Sequence, residues 1–152
     1  MGEGTHTDNS TNSGGIVGFG YGKIIGCYNT GKIEIAGLNG GGIAGFISKA
    51  RGGDAGIFNC YNVGIIENKG GILGNISGGS YCSVKNCYFS KEINDLDDVG
   101  STSENSDIEV YEKTISYMKT TSFVKDLNKE NDAFTISNGL NDGYPVLKWQ
   151  VE

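Results

Sequence analysis

Apolar residues between positions 14 and 90 come in short bursts broken by Gly, Asn and Ser. The bursts are rich in Ile, Val, Phe and Tyr, the residues that fit a pleated, half-buried surface. Helix is implausible here, because a Gly every few positions costs about 1 kcal/mol each against Ala. The bursts fall into two recurring blocks. One reads Gly14-Gly15-Ile16-Val17-Gly18, Gly41-Gly42-Ile43-Ala44-Gly45 and Gly70-Gly71-Ile72-Leu73-Gly74. The other reads Ile24-Ile25-Gly26-Cys27-Tyr28, Ile57-Phe58-Asn59-Cys60-Tyr61 and Val84-Lys85-Asn86-Cys87-Tyr88. The Gly-Gly-Ile openings lie 27 and 29 residues apart, and the Cys-Tyr pairs 33 and 27. From Ile to Cys the gaps are 11, 17 and 15, so length varies in the Gly/Ser/Lys stretch between two fixed blocks. That is how a loop behaves between two strands.

A run of a few residues cannot bury a face alone. Stacking it on its copy in the next turn buries it and pairs its backbone groups at the ~4.8 Å strand spacing. The predicted fold is therefore mainly β: a short β-solenoid of three Gly-rich repeats over residues 14–90. Ile16, Ile43 and Ile72 form one expected column, and Ile24, Ile57 and Val84 another. The glycines serve tight corners where φ is positive or a Cβ would clash.

The linked blocks resemble the GLUG repeat family, whose pattern runs Gly-Gly-Ile-x-Gly, a spacer, then Gly-x-Ile-x-Asn-Cys-Tyr-Asn-Thr-Gly. Gly22-Lys23-Ile24-Ile25-Gly26-Cys27-Tyr28-Asn29-Thr30-Gly31 matches with Gly26 in place of Asn. Gly56-Ile57-Phe58-Asn59-Cys60-Tyr61-Asn62-Val63-Gly64 keeps the Asn, and the third copy departs after Tyr88 into Phe89-Ser90-Lys91. The resemblance implies a β-solenoid of large secreted bacterial proteins, including adhesins and IgA-protease-like polypeptides, and it implies no catalytic activity.

After Phe89 the pattern changes. Residues 91–110 carry Glu92, Asp95, Asp97, Asp98, Glu104, Asp107 and Glu109 among Ser, Asn and Thr, which predicts an acidic linker or wrapping loop. Residues 111–152 read as a small helical plus strand C-terminal cap. Thr114 and Thr121 or Ser122 are candidate helix caps, with Ile115/Met118 and Phe123/Leu127 at helical spacing. A final strand is expected over residues 143–150. Met118-Lys119, Phe123-Val124, Leu127-Asn128 and Gly143-Tyr144-Pro145-x-Leu147-x-Trp149 also look like the segment that closes GLUG arrays. A solenoid ends in an exposed edge and an open core, which such a cap would cover. Trp149 is expected in the cap core rather than as a sugar-stacking platform. Residues 1–13 are read as a disordered tail.

Composition narrows the function. Glycine supplies 26 of 152 residues, more than twice its usual ~7% share. Proline appears once, at Pro145, and high Gly with almost no Pro argues against collagen, which needs Gly at every third position. The net charge of −6 disfavours nucleic acid, and no apolar run reaches the ~18 residues a membrane span needs. No signal peptide opens the chain, so any export signal is expected outside it, and the chain is read as a fragment of a larger polypeptide.

The chemistry-bearing residues are few. Cys27, Cys60 and Cys87 share one repeat position and are expected as a column of buried free thiols, with disulfides as the alternative; Cys82 lies outside the column. His6 is the single His, too little for a zinc site or a nucleophile–base pair. Asp95, Asp97 and Asp98 could share calcium but lack the Gly and distal Glu of an EF-hand loop. Arg51, Asp54 and a few Lys are too sparse for a polysaccharide-cleaving cluster. No catalytic residue, cofactor or metal is expected. Tyr28, Tyr61 and Tyr88 form the remaining column: a buried aromatic ladder, or, if exposed, a ligand-binding strip. The expectation is a non-catalytic structural or adhesive module of an exported bacterial surface protein, located extracellularly or on the cell surface. Its partner would be a host or matrix protein or a glycan, and the alternative is a carbohydrate-binding module of a glycan-active protein.

Overall fold

The computed structural model describes residues 11–34, 38–49, 53–67, 69–76, 81–102 and 106–152. Most of the expected tail, with His6, and also Arg51 and Glu104 lie outside them. The first turn holds β1 (Asn12–Gly14), β2 (Val17–Tyr21), β3 (Lys23–Ile25) and β4 (Tyr28–Asn29). The second repeats them as β5 (Asn39–Gly41), β6 (Ala44–Ser48), β7 (Gly56–Phe58) and β8 (Tyr61–Asn62). In the third, β9 (Leu73–Ile76) is followed by β10 (Ser83–Phe89), which spans both later positions as one strand. Successive turns pair in parallel. The chain is a β-solenoid.

The expected columns are in register. Ile24 pairs with Ile57 and Ile57 with Val84. Ile16 N–H donates to Ile43 O at 3.0 Å, and Ile43 N–H to Ile72 O at 2.9 Å. Ile43, Ile47, Ile57, Ile72, Leu73 and Val84 fill the interior, each stabilising the fold by about 1.5–3 kcal/mol through burial. The linkage between the two sequence blocks has a physical cause in the same interior. A Cβ on Gly42 would lie 2.2 Å from Gly71 O and 2.4 Å from Asn62 Cγ, so the Gly-Gly-Ile block is packed directly on the Asn that follows Cys-Tyr. The other block turns its corner in the left-handed region, with φ of 63°, 53° and 50° at Gly26, Asn59 and Asn86. Gly and Asn are the residues that tolerate that conformation, which explains the exchange of Asn for Gly26.

Both ends of the chain depart from the sequence expectation. Residues 12 and 13, expected in the tail, join Gly14 in β1. Within the acidic stretch, β11 (Asp107–Glu112) pairs in parallel with β10. Just before it, Asp97 O and Asp98 O accept from Gly71 N and Ile72 N, and Val99 bridges Leu73. Ile108 and Val110 face the core while the acidic neighbours face out, so the stretch adds a degenerate fourth turn. Helices α1 (Ile115–Met118) and α2 (Thr121–Leu127) follow. Thr114 caps the first as expected, but Thr120, not Thr121 or Ser122, caps the second, its Oγ1 accepting from Phe123 N at 3.2 Å. The final strand shrinks to β13 (Val146–Leu147), antiparallel to β12 (Phe134–Thr135), because 3₁₀ turns occupy Asn141–Gly143 and Lys148–Gln150. That second turn carries Trp149 out of the core to 69% exposure. The segment does not close the solenoid's end. It lies along its side, over the tyrosine column.

Candidate functional site

Two places gather the side chains singled out above, the tyrosine column and the cysteine column, and a groove between the solenoid and the segment beside it adds a third. Tyr28, Tyr61 and Tyr88 stand in register on β4, β8 and β10 and continue to Tyr111 on β11. The ladder is interrupted. Tyr28 stacks on Tyr61 with centroids 5.3 Å apart, and Tyr88 on Tyr111 at 5.5 Å. Phe123 of α2 is inserted edge-to-face against both Tyr61 (5.7 Å) and Tyr88 (5.2 Å). Met118, Leu127 and Phe134 complete this second core, leaving Tyr61 and Tyr88 buried.

The phenol groups are also engaged in hydrogen bonds. Tyr28 Oη donates to Gln150 Oε1 at 3.0 Å, Tyr61 Oη donates to Pro145 O, and Tyr88 Oη to Asn86 Oδ1. Burial pushes the Tyr61 and Tyr88 hydroxyls above their ordinary range, with Tyr28 adding to the effect at Tyr61 and Asp126 at Tyr88. The structure thus joins the three tyrosines into one packing surface with the C-terminal segment. The rings of Tyr61 and Tyr88 are covered, while Tyr28 stays half-buried.

The cysteines are free thiols. Cys27 N–H donates to Cys60 Sγ at 3.3 Å, and Cys60 and Cys87 are fully buried. Burial raises the Cys60 thiol well above its usual range, and the hydrogen bond to Cys60, followed by burial, raises Cys27. Cys82, also buried, is pushed up to about 11 by burial. Thiols held protonated are poor nucleophiles and poor metal ligands. Asp97 and Asp98 use their carbonyls in the ladder, and Asp98 Oδ1 accepts from Val99 N at 2.8 Å. Among the described residues, no three His, Cys, Asp or Glu are placed to hold a metal ion. Nor is any described helix long and apolar enough to cross a membrane.

The groove, about 370 Å³, is lined by Lys23, Ile25, Phe58, Asn59, Glu130 and Asn131. Its floor is the outward side of β3 and β7, and its wall is the loop after α2. Lys23 pairs with Asp54 at 3.3 Å and lies over the Phe58 ring. An apolar floor rimmed by one cation, one carboxylate and two amides can hold a small amphipathic ligand. No motif in the sequence marks it. Ile25 and Phe58 were legible as outward positions of period-two strands, whereas nothing local places Glu130 and Asn131 opposite them.

The fold has a solved counterpart. A crystal structure described as "a putative immunoglobulin A1 protease from Bacteroides ovatus" aligns with a TM-score of 0.57 at 20% identity. The alignment covers 93% of this chain and 54% of that one, so this chain spans about half the length of its neighbour. At that identity the likeness is one of fold. No family model matches the chain, and no curated protein matches it. The similarity to GLUG repeats therefore rests on the motifs themselves, in which each repeated side chain has a packing role: Ile in the core, Cys in the thiol column, Tyr against the side segment, Asn at the corner.

Proposed function

We propose that this chain is a non-catalytic structural and adhesive module of an exported bacterial surface protein, of the kind the GLUG resemblance implies. One observation carries this reading: the side chains that recur from turn to turn are engaged in holding turns together. Ile57 and Val84 fill the core, Tyr61 and Tyr88 anchor the side segment, and Asn86 Nδ2 donates to Asn59 Oδ1 at 2.7 Å. A repeat selected for chemistry would keep reactive groups at a surface; this one keeps glycines, amides and apolar groups inside. The bacterial neighbour, described as a putative protease and roughly twice as long, is consistent with a domain serving a larger polypeptide.

A second reading, glycan binding, is favoured by exposed aromatic rings away from the tyrosine column. Phe19, Tyr21 and Trp149 are all solvent-exposed, and Phe19 stacks on Phe46 at 5.3 Å. Aromatic faces of this kind pack against the apolar faces of sugars. A glycan array screened with the intact chain and with Tyr21→Ala and Trp149→Ala separates the readings. These are surface substitutions that leave the fold intact. Absence of saturable binding supports the scaffold. Binding lost in either variant supports the carbohydrate module.

A further inference from the structure

The two ends of the solenoid differ. At one end the degenerate fourth turn, with Asp97, Asp98, Asp107, Glu109 and Glu112, lies over the third. At the other end the first turn keeps the full repeat pattern, yet among the described residues β2, β3 and β4 each have a neighbour on one side only. Ile16 is 43% exposed where its column mates Ile43 and Ile72 are fully buried, and Phe19 and Ile25 are exposed beside it.

Gly31 carries the decisive detail. It is the counterpart of Gly64, since Asn29 pairs with Asn62 and Ile33 bridges Ile66. Gly64 must be glycine because a Cβ there would lie 2.1 Å from Gly31 O and 2.3 Å from Asn29 Nδ2, both in the preceding turn. At Gly31 an added Cβ meets only Asn29 Oδ1, at 3.6 Å, and φ lies outside the left-handed range. Nothing in the described residues requires glycine there. A turn stacked above would require it.

Asn29 gives the same answer. Asn62 Oδ1 accepts twice, from Gly64 N at 3.0 Å and from Asn29 Nδ2 at 2.8 Å. Asn29 Oδ1 accepts from Gly31 N at 3.1 Å, and among the described residues no donor takes the second acceptor position that is used at Asn62. An Asn side chain in a preceding turn would fill it as Asn29 fills that of Asn62.

We propose that the open end of the first turn is a stacking face for a further turn of the same repeat, contributed by the same polypeptide and bearing Asn and Gly at the Asn29 and Gly31 positions. A second copy stacked head to tail fits poorly. The Asn29–Asn62–Phe89 column continues to Glu112, so such a copy would set a carboxylate over the Asn29 acceptor.

The test duplicates residues 39–67 immediately ahead of Asn12, with a scrambled insert of equal length as control. Amide exchange across residues 16–31 should slow at least tenfold or so in the extended chain and not in the control. Gly31→Ala should move the midpoint of thermal unfolding by less than about 2 °C in the present chain but lower it by more than about 5 °C in the extended one. Unchanged exchange, an equal Gly31→Ala effect in both chains, or an extended chain that does not fold would overturn the proposal. So would concentration-dependent assembly of the present chain that protects the same amides, which would assign the face to a second copy.

Discussion

The hydroxyl of Tyr61, on the second turn of the solenoid, donates its proton to the backbone carbonyl of Pro145, 84 residues later. Asn141 Nδ2 donates back to the same phenol oxygen at 3.0 Å and also reaches Pro145 O at 3.1 Å. This three-membered network fastens the side segment to the middle of the repeat array. Tyr61→Phe removes one donor but leaves Asn141 to satisfy the carbonyl. The expected loss is about 1 kcal/mol, the low end for a buried hydrogen bond. Hydrogen exchange should quicken in residues 134–147 and leave β6 and β9 unchanged, because those strands do not touch the network.

Phe123 occupies the gap between Tyr61 and Tyr88, where the ring ladder breaks. Truncating it leaves a cavity bounded by two buried rings that cannot collapse together without moving their strands. Phe123→Ala should therefore cost about 3–5 kcal/mol, read from denaturant unfolding. Trp149→Ala, at an exposed ring, should stay within about 0.5 kcal/mol. A reversed order would show that Trp149, not Phe123, anchors the segment.

The corner at Asn59 inverts the usual ranking of Ala and Gly. Its φ is 53°, and its Oδ1 accepts from Asn86 Nδ2 at 2.7 Å. Asn86 Nδ2 keeps Asp126 O as a partner at 3.0 Å, so no buried donor is orphaned by removing the Asn59 amide. Asn59→Gly should cost about 0.5–1 kcal/mol for the hydrogen bond. Asn59→Ala should cost roughly 1–2 kcal/mol more, since a Cβ is strained in the left-handed region. Thermal unfolding of the two variants gives the difference directly.

How much of this was legible depends on whether the signal was local. The spacing of two fixed blocks carried the turns and their register, because equivalent residues in a parallel solenoid must stack: Ile24 on Ile57 on Val84. The fourth turn was also written, as the alternation of Asp107-Ile108-Glu109-Val110, but its outward acids gave it the composition of a linker. The docking of residues 111–152 was not local at all. Phe123 and Leu127 announce an apolar helix face, and nothing within the helix says that Tyr61 and Tyr88 receive it. For the same reason the tyrosines could be read as ladder or strip until α2 was seen covering them.

Alkaline pH should loosen the fold before acid does anything comparable to its thiols and phenols. Cys27, Cys60 and Cys82, with Tyr61 and Tyr88, all have their folded-state pKa raised, Cys82 to about 11 and by burial. In the unfolded chain thiols ionise near 8.5 and phenols near 10. Above those values the unfolded state binds fewer protons than the folded one, so stability falls as pH rises. The contribution is complete at neutral pH, begins to fade near pH 9 as the thiols ionise in the unfolded chain, and falls further above pH 10 when the phenols join. For Cys82 the loss is confined between its unfolded value and about 11. Melting curves at successive pH values from 7 to 11 should show the midpoint flat and then descending. Cys82→Ala should descend less steeply over that interval. An identical slope in the variant would mean that Cys82 is as accessible to water in the fold as it is in the unfolded chain.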